Sequence, residues 1–258
     1  MSIMEALRQF AGYCLGFGVM AGIVYVLSKL LRCKAATAEI THPKRSACDA
    51  VIALVIFAVG AALGLVAARI LQEKSPELLK EGSPWRLIFP VFGFACAVVP
   101  AVIFVKLRKE PLSTVGLWRR NLWQSLVIGC VLLVPVFLVS GVTPSSVATN
   151  FRPHHLVAIA YGFLIGSQEE FLFRGYTQTR MVAWRGRWLG FILTALLFTY
   201  FHLPTNMLAK NMGLMDAFIE STVTLPVGLF LGFTMLRTGN LASVLPCHMV
   251  GIGIMAIK

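Results

Sequence analysis

The stretch AVIALVIFAVGAALGLVAA, residues 50–68, contains no charged residue. An α-helix needs about 20 apolar residues to cross ~30 Å of hydrocarbon, so this stretch predicts a transmembrane helix. Similar runs, free or nearly free of charge, lie at 10–28, 87–105 and 122–142. Four more apolar segments are interrupted by polar groups, at about 154–183, 188–203, 216–236 and 241–257. We therefore predict an all-α fold, a polytopic transmembrane bundle of about eight spans.

The composition of the whole chain also indicates a membrane protein. Of its 258 residues, 57% are hydrophobic and only 13% are charged, and the mean hydropathy is +0.78. Soluble domains carry about 25% charged residues, so these charges are too few to cover a soluble surface of this size. The net charge of +12 is spread between the apolar runs. We attribute it to membrane topology and to attraction by anionic lipid, and we expect no nucleic-acid partner.

The two halves of the chain differ, because polar residues interrupt only the last four apolar segments. We predict a four-span membrane scaffold at 1–150 and a four-span core at 151–258, within one integral membrane domain. The loops on one side, together with Arg174, hold 15 of the 23 Lys and Arg residues, and the other side holds 8. Basic loops stay cytoplasmic, so both termini are predicted to lie outside. A bacterial plasma membrane is the expected location.

Two adjacent acids interrupt the fifth apolar segment, in the run Gly166-Ser167-Gln168-Glu169-Glu170-Phe171-Leu172-Phe173-Arg174-Gly175. An ionised acid at mid-bilayer costs about 2.5 kcal/mol or more, so such residues face a water-filled cavity or a partner. Glu170 and Arg174 are four residues apart on one helix face, which favours an ion pair. Glu169 points about 100° away and is a candidate for general acid–base catalysis. The alternative is that all three form a buried charge clamp between helices.

A second candidate, His202, lies near the end of the next apolar run, four residues after Phe198. A lone histidine in such a run is more often a hydrogen-bonding residue between helices. The midpoint between Glu169 and His202 falls at the basic turn Arg185-Gly186-Arg187. A helical hairpin that closes there places both residues about 16 positions, or ~25 Å, from its tip. The spacing therefore predicts that the two side chains meet at one depth in the membrane.

A third candidate, His248, follows Pro246 and Cys247 in the last apolar segment. It lies about nine residues from the turn at 237–240, or ~14 Å into the helix. One acid and two histidines from three helices would activate a water between them. The same side chains, Glu169, His202 and His248, would also suit zinc, for which three N/O ligands plus water are the usual catalytic set. The residues alone leave open whether the site holds zinc or no metal.

Taken in order, three motifs resemble those of the CAAX prenyl protease and bacteriocin-processing (Abi) family. They are Glu169-Glu170-x-x-x-Arg174, Phe198-x-x-x-His202 and a histidine in the last helix. The resemblance covers about 154–252. It implies that Glu169 activates water with help from His202, and that His248 helps stabilise the oxyanion of the tetrahedral intermediate. It further implies that Glu170, Arg174 and Phe198 hold the site in shape.

The resemblance also implies a reaction and a class of substrate. Members of this family are intramembrane endopeptidases, so we expect hydrolysis of a peptide bond near the cytoplasmic membrane face. The expected partners are the lipid bilayer and a peptide or protein substrate, membrane-tethered or prenylated. Family members are described as metalloproteases, but a metal-free glutamate mechanism has also been argued, and the resemblance leaves the cofactor open.

The sequence departs from the family pattern in the third motif, which is H-x-x-x-N or H-x-x-x-D. The fourth residue after His248 is Ile252, which cannot donate a hydrogen bond. One oxyanion donor contributes about 3–4 kcal/mol of transition-state stabilisation. Asn206, four residues after His202, and Asn240, near the adjacent turn, are the candidate replacements. The alternatives are a non-catalytic immunity or adaptor protein and an ion-coupled transporter, although no repeat pairs the two halves.

Overall fold

The computed structural model describes residues 3–34, 39–80, 82–143 and 149–254. Its main helices are α1 (Ile3–Leu30), α2 (Pro43–Lys74), α3 (Ile88–Leu107), α4 (Leu122–Val131), α5 (Leu133–Ser140), α6 (His155–Glu169), α7 (Gln178–Arg185), α8 (Arg187–Leu208), α9 (Leu214–Thr222), α10 (Leu225–Thr238) and α11 (Leu245–Ile254). Short 3₁₀ helices occupy Pro76–Leu79, Pro84–Leu87, Leu112–Val115 and Leu241–Ser243, and a π-helical segment, Glu170–Thr177, joins α6 to α7. Since the described ranges contain no strand, the predicted all-α class is confirmed.

Six helical stretches in the described ranges are long and apolar enough to cross a membrane. They are Ile3–Leu30, Pro43–Lys74, Pro84–Leu107, His155–Arg185, Arg187–Leu208 and Leu214–Thr238. A shorter apolar stretch, Leu122–Leu138, and helix α11 occupy the other two predicted segments. Each of the eight predicted segments therefore contains helix, and the predicted membrane bundle is confirmed.

Two of the breaks between helices follow from proline. Pro135 has no N–H to donate to the carbonyl of Val131, and α4 ends at Val131. Pro226 cannot donate to the carbonyl of Thr222, and α9 ends at Thr222. The apolar runs are continuous in sequence at both places, but the helices are not.

The hairpin between α7 and α8 closes at the predicted turn. Gly186 adopts φ +82°, a conformation that favours glycine. Next to the turn, Gly190 lies directly against the backbone of Met181, where a Cβ atom would not fit. The two helices therefore return side by side, and they carry Glu169 and His202 to the same part of the bundle.

Helices α6 and α11 approach each other closely because glycines line their interface. A Cβ atom on Gly162 would lie 2.6 Å from the backbone N of Gly253, and one on Gly166 would lie 2.9 Å from Cα of Met249. Gly162 and Gly166 form a G-x-x-x-G pattern, which permits such backbone contact between membrane helices. This contact brings the helix that carries His248 against the helix that ends at Glu169.

The Lys- and Arg-rich loops meet at one end of the bundle, which we call the basic end. There the backbone N–H of Lys34 donates to Asn121 Oδ1 (3.3 Å), and Asn121 Nδ2 donates to the carbonyl of Thr238 (2.8 Å). Trp118 Nε1 also donates to the carbonyl of Gly239 (3.0 Å). The opposite end carries the loop at 75–87, the start of α6 and the α8–α9 connection.

Candidate active site

The two acids lie where α6 passes into the π-helical segment. Such π-helical turns occur frequently at functional sites. Glu170 is 0% exposed and Arg174 is 1% exposed, and Arg174 Nη1 lies 3.2 Å from Glu170 Oε1. The ion pair predicted from the i, i+4 spacing is therefore confirmed. Because both charges are buried, each depends on the other for its neutralisation.

His248 joins the two acids. Its Nδ1 lies 2.6 Å from Oε1 of Glu170, and its Nε2 lies 3.5 Å from Oε2 of Glu169. Nδ1 donates its proton to the ionised Glu170, so Nε2 can donate towards Glu169 only when the ring is an imidazolium. The contact between His248 and Glu170 has no signal in the sequence, since these residues are 78 positions apart.

Phe198 contacts the charged groups of the site through its ring. The Arg174 guanidinium lies over that ring at 3.9 Å from the centroid, in cation–π geometry. The Phe198 ring centroid is 4.9 Å from that of His202 and 6.3 Å from that of His248. Phe198 therefore contacts Arg174 and lies close to both histidines, and the orienting role that the motif implies for it stays a prediction.

His202 is oriented by its own helix. Its Nδ1 lies 2.9 Å from the carbonyl oxygen of Phe198, and since a carbonyl only accepts, Nδ1 carries the proton. Nε2 then retains a lone pair. His202 lines the cavity described next, so its free nitrogen is available to a water or substrate there.

A cavity of about 890 Å³ lies between α2, α3, α6 and α8. Its inner part includes Gln168, Glu169 and His202, and its walls include Phe57, Gly93 and Phe201. Its outer part reaches the end of α2 and the neighbouring loops, at Arg69, Gln72, Glu73, Leu79, Arg86 and Asn211. The structure thus brings Glu169 and His202 into one cavity. His248 is not among the described lining residues, but it contacts Glu169.

The cavity opens at the end of the bundle opposite the basic end. If the basic loops are cytoplasmic, as the excess of 15 to 8 predicts, this opening lies outside. The predicted outside location of the termini and the predicted cytoplasmic cleavage site are therefore incompatible in this fold. The sequence does not show this conflict, because it does not tell which end of α6 and α8 the cavity reaches.

The two asparagines considered as oxyanion donors are bonded elsewhere. Asn206 Nδ2 donates to Ser221 Oγ (3.1 Å) in α9. Asn240 Nδ2 donates to the carbonyl of Trp118 (2.7 Å), and its Oδ1 accepts from the N–H of Ala242 (3.0 Å). Neither belongs to the described lining of the cavity. Both side chains connect helices and loops, and the structure does not bring them to Glu169.

The part of the chain that carries the candidate site matches a known family. The model for the type II CAAX prenyl endopeptidase Rce1-like family matches residues 152–251. Over this range, which is less than half of the chain, the protein is similar to the CAAX prenyl endopeptidase family. The range contains Glu169, His202 and His248 and ends one residue before Ile252. No curated protein matches the chain, and no solved structure does.

The similarity to the CAAX prenyl endopeptidase family supports a membrane hydrolase that acts on a peptide or protein. The zinc alternative for this site does not fit the arrangement of ligands. Within the described ranges, no three side chains of His, Cys, Asp and Glu are placed to hold a metal ion.

Three features of this candidate site were missed from the sequence. Gln168 lines the cavity next to Glu169. Gly93 in α3 leaves room for it, since a Cβ atom there would lie 3.1 Å from Gln168 Oε1. The pair Gly162 and Gly166 sets the distance between α6 and α11. Only this last feature had a usable signal, the G-x-x-x-G spacing in an apolar run.

Proposed function

We propose that this protein is an intramembrane endopeptidase that hydrolyses a peptide bond with a water held between Glu169 and His202. The observation that carries the proposal is that both side chains line one cavity inside the membrane-spanning bundle. A carboxylate and an imidazole that share a cavity can bind one water and remove its proton.

In the proposed reaction, the water gives a proton to the Glu169 carboxylate and its oxygen attacks the carbonyl carbon of the substrate. The free Nε2 of His202 accepts the second hydrogen of the water as a hydrogen bond and so orients it. The tetrahedral intermediate then collapses, the C–N bond breaks and the proton on Glu169 passes to the leaving amine. The products are a carboxylic acid and an amine, and the enzyme returns to its starting protonation state.

His248 and the buried pair support this chemistry electrostatically. The separation of 3.5 Å between His248 Nε2 and Glu169 is longer than a normal N–H···O hydrogen bond. When the His248 ring is an imidazolium, Nε2 can therefore donate to the negative oxygen that forms in the transition state. Glu170 holds the other nitrogen at 2.6 Å, and Arg174 balances the charge of Glu170.

A lipid-modified substrate is consistent with the walls of the cavity. Phe57, Phe92 and Phe201 line it between α2, α3 and α8, and the mouth is polar, with Arg69 and Arg86. An apolar wall beside a polar mouth suits a membrane-tethered or prenylated peptide, whose lipid stays in the bilayer while its chain reaches Glu169. A bacterial plasma membrane is the location we propose.

Cleavage near the cytoplasmic face requires the mouth of the cavity to be cytoplasmic. Ser83→Cys near the mouth and Gly186→Cys at the opposite turn, each in a variant without other cysteines, distinguish the two orientations. Labelling of Ser83→Cys by a membrane-impermeant maleimide only after cell disruption supports cytoplasmic cleavage. Labelling of Ser83→Cys in intact cells places the opening outside.

The function itself is tested with purified protein in liposomes and a farnesylated, internally quenched peptide that ends in a CAAX sequence. We expect cleavage by the wild type, a loss of about 100-fold or more in His202→Ala, and wild-type rates in His155→Ala. His155 is a suitable control because it is buried and lies at the start of α6, outside the described cavity lining. Equal rates in the two histidine variants would overturn the assignment.

One observation favours a second function, a non-catalytic immunity or adaptor protein. Ile252 occupies the position where the family motif has a hydrogen-bonding residue. If wild type and Ile252→Asn both fail to cleave the farnesylated peptide and both still bind it, the adaptor function replaces the peptidase.

A further inference from the structure

Gln168 is a buried amide that faces the cavity without a hydrogen-bond partner in the described part of the protein. Its side chain is 4% exposed, and its Oε1 is fully buried and unpaired. Nε2, which is not among the fully buried unpaired atoms, also forms no hydrogen bond with the described residues. It lines the cavity beside Glu169, its neighbour in the chain. An amide placed in this way has its hydrogen-bonding capacity left for a molecule in the cavity.

Burial of an unpaired amide opposes folding, because the group loses its bonds to water. Unpaired buried polar groups are few in native proteins, and each calls for an explanation. The carboxamide of Gln168 lies against Gly93, whose missing side chain leaves the space that the carboxamide occupies at the cavity wall. The position therefore favours a role towards a ligand.

The proposed reaction needs a donor at this place. Ile252 supplies none, and the amides of Asn206 and Asn240 are bonded to other groups. Two further amides line the described cavity, Gln72 and Asn211, but both are exposed at its mouth. Gln168 is the buried amide that adjoins Glu169.

We infer that Gln168 donates a hydrogen bond from Nε2 to the carbonyl oxygen of the substrate and stabilises the oxyanion together with His248. This inference rests on the proposed peptidase function. A preorganised donor of this kind binds the transition state more tightly than the ground state, so it acts on kcat and not on KM. Gln168 thus replaces the donor that the third motif lacks at Ile252.

Gly93 keeps the carboxamide in place. A Cβ atom at this position would lie 3.1 Å from Oε1 and 3.5 Å from Nε2 of Gln168. Gly93→Ala therefore displaces the donor by a few tenths of an ångström without removing it. Since oxyanion donors act over a narrow range of distance, this variant tests the geometry of Gln168 separately from its chemistry.

The test measures kcat and KM on the farnesylated, quenched peptide, with affinity for a peptide aldehyde whose hydrate mimics the tetrahedral intermediate. Gln168→Met, which keeps the volume but has no donor, should lower kcat and aldehyde affinity about 100-fold and leave KM within about threefold. Gly93→Ala should lower kcat about tenfold. Gln9→Met, the same change at an exposed position of α1 outside the described cavity lining, should leave both unchanged.

A rescue experiment distinguishes a hydrogen-bond donor at Gln168 from a residue with only a structural role. Ile252→Asn should raise kcat by a larger factor in the Gln168→Met background than in the wild type, because the new amide restores a missing donor. If Gln168→Met keeps wild-type kcat and aldehyde affinity while the wild type cleaves, the role of Gln168 is overturned alone. If the wild type neither cleaves the peptide nor prefers the aldehyde, the proposed function fails and the inference fails with it.

Discussion

Helix α1 and the stretch Leu214–Thr238 are both long and apolar, but they differ in what surrounds them. In the apolar part of α1, 6% of the residues are buried by protein, against 50% in Leu214–Thr238. The first helix faces lipid, and the second packs inside the bundle. Two apolar stretches therefore have different surroundings, lipid for α1 and protein for Leu214–Thr238, and only protein can hold polar side chains in defined positions.

The buried charged groups do not all follow this division. Glu169, Glu170 and Arg174 lie in the C-terminal half, but Asp49 is buried in α2. Helices α2 and α3 supply Phe57 and Gly93 to the wall of the cavity. The predicted boundary near residue 150 stays a prediction. Part of the N-terminal half thus belongs to the site, whereas α1 is a true peripheral helix.

The largest expected effect concerns the buried ion pair. Arg174→Ala leaves Glu170 without its counter-charge and should lower the free energy of unfolding by about 3–5 kcal/mol. Arg69→Ala, the matched change at an exposed pair with Glu73, should lower it by less than about 1 kcal/mol. Unfolding in detergent measures both. Similar losses in the two variants would contradict the division between the regions.

A smaller effect is expected from one substitution placed in both regions. Gly166→Leu inserts a side chain where a Cβ atom would already lie 2.9 Å from Cα of Met249, so we expect a loss of about 1–3 kcal/mol. Gly12→Leu in α1 meets no atom within 4 Å and should not destabilise the protein. The same unfolding measurement compares them, and a destabilised Gly12→Leu would show that α1 is packed after all.

The smallest effect concerns Ile252, one helical turn beyond His248. Ile252→Asn adds a donor on the same helix face and should raise turnover of the farnesylated peptide about tenfold, or about 1.4 kcal/mol of barrier. Ile252→Val changes the size without adding a donor and should leave turnover unchanged. Equal gains in both variants would trace the effect to packing.

The sequence predicts the fold well because lipid imposes a simple rule on length and hydropathy. The turn at Gly186 and the pair Glu170–Arg174 were also predictable, since both follow from spacing along one or two helices. The contact between His248 and Glu170 was not predictable, because it depends on how α11 rotates against α6. The same holds for the partners of Asn206 and Asn240 and for the end at which the cavity opens.

Glu169→Gln and Glu170→Gln, compared in one experiment, test the central claim most directly. The two acids are adjacent, but Glu169 lines the cavity and Glu170 is 0% exposed beside Arg174. The measurement is cleavage of the farnesylated peptide and unfolding in detergent for each variant. We expect Glu169→Gln to lose about 10²–10⁴-fold in rate with unchanged stability, and Glu170→Gln to lose about 3–5 kcal/mol of stability. If Glu169→Gln cleaves at the wild-type rate, or unfolds as easily as Glu170→Gln, Glu169 is not the residue that activates water.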